Sequence, residues 1–120
     1  MPDLEHAQSF TFGDLRTRVQ SSDAPVLVEF WEPRCTACRA TFDVVDGLAC
    51  RVGEHGVVGT FNVHQHPEAA RSLGVESVPT LIVFRNGAVD SVLEGAKTIR
   101  TFLERIDEEV FFGHPPVCES

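Results

Sequence analysis

Residues 26–31, Val-Leu-Val-Glu-Phe-Trp, are apolar almost without alternation, and Glu29 is their single charge. That pattern predicts a strand buried on both faces. Residues 57–63 and 80–84 repeat it. Between the first two, Phe42, Val45, Ala49 and Val52 follow at intervals of three, four and three, with Val44 and Leu48 widening the stripe. This is one helix face, closed by Gly53, and Gly47 inside it costs about 1 kcal/mol relative to Ala. His66-Pro67 opens a short helix running to Leu73, with proline in the first turn and Gly74 ending it. Asn86-Gly87 is a hairpin signal, so residues 88–93 read as an antiparallel return strand. Thr98 is placed to cap a last helix whose apolar face is Ile99, Phe102, Leu103, Ile106 and Val110, and Gly113-His114-Pro115-Pro116 breaks it.

The N-terminal part is more polar. Residues 9–12 suggest a short edge strand, and Thr11 with Asp14 three positions later is a helix-start signal. Phe12, Leu15 and Val19 recur at helical spacing until the polar stretch Ser21-Ser22-Asp23-Ala24-Pro25. Residues 1–8 are expected to fray and residues 113–120 to form a tail. The order is strand, helix, strand, helix, strand, helix, strand, strand, helix. Two crossovers followed by a hairpin imply an α/β fold, one central mixed sheet of four to five strands flanked by about four helices. With no repeat, linker or low-complexity segment, residues 1–120 read as a single domain.

Composition narrows the function classes. At 42% hydrophobic and 23% charged residues, the chain of 120 suits an ordinary globular domain. Its formal net charge of −8 repels phosphate backbones and anionic lipid surfaces, which argues against nucleic acid and membrane as partners. The N-terminus has neither a basic region nor an apolar stretch, and no apolar run approaches membrane-spanning length. A cytoplasmic location is the expectation.

The chemistry concentrates in Cys35-Thr36-Ala37-Cys38. Two thiols three positions apart, where the first buried strand gives way to a helix, form a compact pair. The first would stand at the helix start, where unpaired N–H groups and the helix dipole favour a thiolate. A zinc site is the competing reading, but a closed one wants four ligands, and no second C-x-x-C or spaced histidine pair exists. His55, His64 and His66 invite a metal reading too, but His-x-His rarely completes a site, and His66 is better placed as a helix cap. Cys50 lies off the apolar stripe of its helix and Cys118 lies in the tail, so each reads as an inert single cysteine, with a regulatory thiol or an intermolecular cross-link as alternatives.

The motifs together resemble the thioredoxin family. Val28-Glu29-Phe30-Trp31 precedes the dithiol, and Asn62-Val63 is followed by Gln65 and Pro67. Val78-Pro79-Thr80, Asn86-Gly87 and Gly95 follow in the family's order, without a gap from about residue 26 to residue 106. The resemblance implies a thioredoxin fold and a thiol–disulfide oxidoreductase acting on protein disulfides. Cys35 would attack and Cys38 resolve the mixed disulfide. Glu29 stands where the family carries a buried acid and would move the proton of Cys38; a solvent-exposed strand-end carboxylate is the plainer reading. Pro79 matches the family's cis-proline, and Val78 would offer backbone groups to an extended substrate segment. Trp31 would be a lid beside the dithiol, and Gly95 would keep the surface flat, while Arg34, Thr36 and Ala37 complete the substrate-facing lip. No cofactor would stay bound. Electrons would come from NADPH through a separate flavoprotein reductase, and the domain would act as a monomer.

Several positions depart from the family's pattern. Thr36-Ala37 replaces a Gly-Pro pair, and Glu32-Pro33-Arg34 lacks the usual tryptophan before the first cysteine. Asp43 replaces a helix-kinking proline, so a straighter helix is expected there. Thr60 replaces a lysine beside the buried acid, which should make Glu29 harder to ionise. These changes keep two other readings in view, a disulfide oxidase or isomerase and a partner-dedicated binding or chaperone domain. The acidic run Asp107-Glu108-Glu109 reads as a solvated helix face.

Overall fold

The computed structural model describes residues 4–118. β1 (Gln8–Phe10), β2 (Val26–Trp31), β3 (Val57–Asn62), β4 (Thr80–Arg85) and β5 (Ala88–Glu94) form one sheet in the order β1-β3-β2-β4-β5. β1, β2 and β3 are parallel, and β4 pairs antiparallel with both β2 and β5. Residues of β2 and β3 are buried throughout, because helices cover both faces and no side chain in the middle of the sheet meets water.

Alternation along β2 then sorts its side chains. Val26, Val28 and Phe30 pack with Phe61, Ile82, Leu15 and Ala70 on one face. Leu27 packs with Val58, Leu81, Val45, Leu48, Ile99 and Leu103 on the other. Glu29 and Trp31 fall on this second face, under the helix that carries the cysteines. At the β4–β5 turn Asn86 and Gly87 both take positive φ, 54° and 82°, as a tight twisted hairpin requires.

Six α-helices, with a short 3-10 turn at Gly53–His55, are present among the described residues where about four helices were expected, because two long helical patterns are each broken once. α1 (Phe12–Ser21) starts with a full capping box between Thr11 and Asp14. α2 (Thr36–Arg39) and α3 (Phe42–Val52) are separate, and α4 is Pro67–Ser72. The α2–α3 break needs no proline. Arg100 donates to the Ala40 carbonyl at 2.8 Å, and the Thr41 hydroxyl lies 2.9 Å from the Cys38 carbonyl. Side chains thus engage two carbonyls of the turn, that of Cys38 being shared with the Thr41 N–H at 3.4 Å. The straighter helix expected from Asp43 does not form, and the Asp43 carboxylate instead takes Arg100 through two bonds of 3.0 Å.

The second break separates α5 (Ala96–Arg105) from α6 (Glu108–Phe112). Ile106 and Asp107 are extended, and the Asp107 carboxylate accepts from the Val110 N–H at 3.1 Å. This cap turns Phe111 and Phe112 onto the core and leaves Val110 82% exposed, so Val110 is not part of the buried face. The acidic run is correspondingly not a plain solvated face: Asp107 caps and Glu108 pairs with Arg51. Thr98 does not cap α5; Gly95 occupies that position without a side-chain bond.

Both ends are tied down further than expected. The N–H groups of His6 and Ala7 donate to one oxygen of Asp46 at 2.8 and 2.9 Å, and Gln8 already belongs to β1, so the described part of residues 1–8 is anchored. Residues 1–3 and 119–120 lie outside the described residues. At the other end the His114 ring stacks on His55 with centroids 3.5 Å apart, and the Val117 N–H donates to the Arg51 carbonyl at 2.8 Å. Cys118 forms a disulfide with Cys50. The reading of these two as single cysteines is overturned by tertiary proximity, which their spacing in the chain does not encode.

Candidate functional site

β2 delivers the chain to the edge of the sheet at Trp31. A turn closed by the Cys35 N–H and the Glu32 carbonyl at 3.1 Å then reverses it, and Arg39 reaches back to the Pro33 carbonyl at 2.7 Å. Cys35 caps α2, its sulfur accepting from the Cys38 N–H at 3.1 Å. Cys35 and Cys38 are disulfide-bonded with Cα atoms 5.3 Å apart. The pair is asymmetric. Cys38 is fully buried, whereas Cys35 is partly exposed between the exposed Arg34, Thr36 and Ala37.

Glu29 is buried completely. Its register partners, Thr60 on β3 and Leu81 on β4, carry no charge. Taken out of water with no cation to compensate, its carboxyl is pushed up from 4.5 to about 7; the hydrogen bond from the Thr41 hydroxyl, 2.6 Å from Oε1, pulls the other way and loses. Oε2 has no hydrogen-bond partner among the described residues. The exposed strand-end reading of Glu29 is therefore excluded, and the group can hold or release a proton near neutral pH.

The start of β4 lies beside the end of β2, since Thr80 pairs with Phe30. The Val78–Pro79 peptide that leads into it is cis. Pro79 is buried and its carbonyl accepts from the Gly95 N–H at 3.0 Å, which places Gly95 next to it. Gly95 is exposed at φ 92°, with no atom within 4 Å of where a Cβ would stand. A cleft of about 320 Å³ opens beside Val78, lined in part by Val63, Pro67 and Ser77. Trp31, at the end of β2, is 3% exposed, with its ring edge-on to Phe42 at 5.6 Å.

His66 stands at the start of α4 without a side-chain capping bond and packs on Phe61 instead. His55 is occupied by His114, so the three histidines are not drawn together at the dithiol. Thr41 and Arg100 are missed by the sequence pattern. One signal for Thr41 was present: a polar residue three positions after Cys38, on the inward side of a helical stripe. Arg100 carried none.

A partly exposed sulfur bonded to a buried one, above a buried carboxyl, is the equipment of a dithiol–disulfide exchange domain. The thioredoxin family model matches residues 7–108. The chain is 32% identical over 104 residues to thioredoxin 1 of Synechococcus elongatus, covering 87% of this chain and 97% of the relative. It is 33% identical over 112 residues to the thioredoxin of Mycobacterium tuberculosis, covering 92% and 97%. It is 39% identical over 95 residues to chloroplastic thioredoxin M4 of Arabidopsis thaliana, covering 73% and 49%. The chain belongs to the thioredoxin family and is a thiol–disulfide oxidoreductase with a redox-active disulfide.

Proposed function

We propose that the domain reduces disulfides of protein substrates. The Cys35 thiolate attacks a substrate S–S bond, which breaks to release one substrate thiolate and leaves the other sulfur bonded to Cys35. Glu29 takes the thiol proton of Cys38, and the Cys38 thiolate then attacks Cys35, releasing the second substrate thiolate and closing the Cys35–Cys38 disulfide. Two electrons pass to the substrate. Val78 and Pro79 align the substrate backbone, Gly95 leaves it room, and Arg34, Thr36 and Ala37 form the lip around the nucleophile. The domain works as a cytoplasmic monomer, recharged from NADPH through a separate flavoprotein reductase.

The observation that carries this reading is the difference in burial between the two sulfurs. Only Cys35 is accessible to a protein disulfide, and Cys38, fully buried, is accessible only to Cys35. The purified domain with a chemical dithiol should accelerate reduction of a disulfide-bonded test protein, Cys35→Ser should abolish this, and Cys38→Ser should stall as a mixed disulfide. Equal rates for the wild type and Cys35→Ser refute the proposal.

One observation favours an oxidase or isomerase instead. The second disulfide, Cys50–Cys118, is of a kind that survives where thiols are not kept reduced. The reduction potential of Cys35–Cys38 separates the two: about −270 mV, the family's own value, supports the reductant, and a potential well above about −200 mV supports the oxidant.

A further inference from the structure

Thr41 has a single hydroxyl proton and two oxygen neighbours. Its Oγ1 lies 2.6 Å from Oε1 of Glu29 and 2.9 Å from the carbonyl oxygen of Cys38, and all three residues are fully buried. A hydroxyl donates one hydrogen bond and can accept others, whereas a carbonyl oxygen only accepts. Both contacts are hydrogen bonds at once only if Glu29 carries a proton on Oε1. The carboxyl then donates to Thr41, and Thr41 donates to the Cys38 carbonyl. When Glu29 ionises, both neighbours are acceptors and the one proton must choose. A charged acceptor makes the stronger bond, so the hydroxyl turns to Glu29 and the Cys38 carbonyl loses the hydroxyl, keeping only the 3.4 Å bond from the Thr41 N–H.

We propose that Thr41 is a positioning residue that transmits the protonation state of Glu29 to the backbone of the resolving cysteine. This inference deepens the proposed function, resting on its assignment of Glu29 to the proton of Cys38. The structure holds the oxidised disulfide, with Thr41 Oγ1 within hydrogen-bond reach of both Glu29 Oε1 and the Cys38 carbonyl, the arrangement that a neutral carboxyl satisfies in full. The cycle balances. Cys38 gives its thiol proton to Glu29 as its sulfur closes on Cys35, and Thr41 regains its bond to the Cys38 carbonyl at the same moment. On reduction the proton returns from Glu29 and the hydroxyl swings back.

Few other groups can disturb this relay. On the strands beside Glu29, Thr60 and Leu81 are uncharged. From the helices the Thr41 hydroxyl reaches it, and the same hydroxyl reaches the backbone carbonyl of Cys38, whose sulfur is held in the disulfide. Asp43 and Arg100 stand at the same helix break but are partly exposed and bonded to each other. Thr41 also departs from a purely apolar stripe, in which an aliphatic residue would fill the space without offering a proton.

The test uses the whole oxidised protein labelled with ¹³C, so it needs no turnover and stands apart from the question of substrate. In the wild type the Cys38 carbonyl carbon should shift with pH at the same midpoint as the Glu29 carboxyl carbon. Thr41→Ser should keep that coupled titration, and Thr41→Val should lose it while Glu29 still titrates. A Cys38 carbonyl that stays constant in the wild type while Glu29 titrates overturns the proposal, whether or not any variant folds. An unchanged coupled titration in Thr41→Val overturns it equally. In single-turnover reduction of a test protein, losing the hydroxyl bond to the carboxylate should raise the Glu29 midpoint by about one unit, which cuts its ionised fraction at pH 7 about fivefold. Thr41→Val should therefore react about fivefold more slowly at pH 7 and match the wild type at pH 9. A defect of equal size at both pH values would mark a merely structural role.

Discussion

Cys50 on α3 and Cys118 in the C-terminal tail are joined by a disulfide, their Cα atoms 5.8 Å apart although 68 positions separate them. The separation is typical for a bridged pair, and the tail is delivered to it by the Val117 bond to Arg51 and the His114 stack on His55. This crosslink closes most of the second half of the chain into one loop. Cys35, by contrast, sits at the other end of the helical segment that carries Cys50, so the two bridges have separate tasks.

Cys118→Ser should lower the stability of the oxidised protein by roughly 4 kcal/mol, the chain-entropy value for a loop of this length. Denaturant unfolding of the wild type and the variant checks this. Turnover at Cys35 should be unaffected, because the tail packs on α3 and the turn after it, away from the dithiol. An unchanged unfolding midpoint would show that the bridge does not constrain the unfolded chain.

Glu29 makes stability depend on pH in a definite direction. Its folded pKa of about 7 lies above the ordinary 4.5, so the folded state binds the proton more tightly than the unfolded one. The stability gained from the neutral, buried carboxyl is fully present below pH 4.5 and is lost as pH rises through about 7. Glu29→Gln removes the ionisation and should stabilise the oxidised protein by about 3 kcal/mol above pH 8, with little difference at pH 4. The same variant should slow turnover, since it has no proton to take or give. Equal unfolding free energies at pH 9 would contradict the buried carboxyl.

Gly95 stands at φ 92° and ψ 145°, a region that side chains other than glycine's rarely enter, and its surroundings are open. Gly95→Ala should therefore cost about 1–3 kcal/mol through the backbone alone. Thermal unfolding measures that. A bulkier Gly95→Leu should in addition slow reduction of a protein disulfide more than reduction of a small aromatic disulfide, because in the proposed function only the former lies across this surface. Equal slowing of both would remove Gly95 from the substrate face.

Much of this protein follows from local rules. The strands at residues 26–31 and 80–84, the stripe from Phe42 to Val52, the Asn86-Gly87 hairpin and the Thr11–Asp14 cap are set by near neighbours, by burial on two faces or by a single turn's geometry. The dithiol was legible for the same reason, since Cys35 and Cys38 are three positions apart at a strand-to-helix junction. Tertiary structure decided the rest, wherever a residue's partner is remote in sequence. Arg100 reaches 60 positions back to the Ala40 carbonyl, and with Thr41 it breaks a helix that periodicity alone runs straight on. Asp107 ends α5 because Phe111 and Phe112 gain more by packing on the core than Val110 loses by being exposed. Cys50 finds Cys118 because the tail folds back over α3, and Glu29 gains its proton affinity from being sealed between strands and helices that carry no charge beside it. Periodicity reports which side of an element is buried; what it is buried against, and so whether a carboxyl ionises or a thiol is paired, depends on the packing of distant segments.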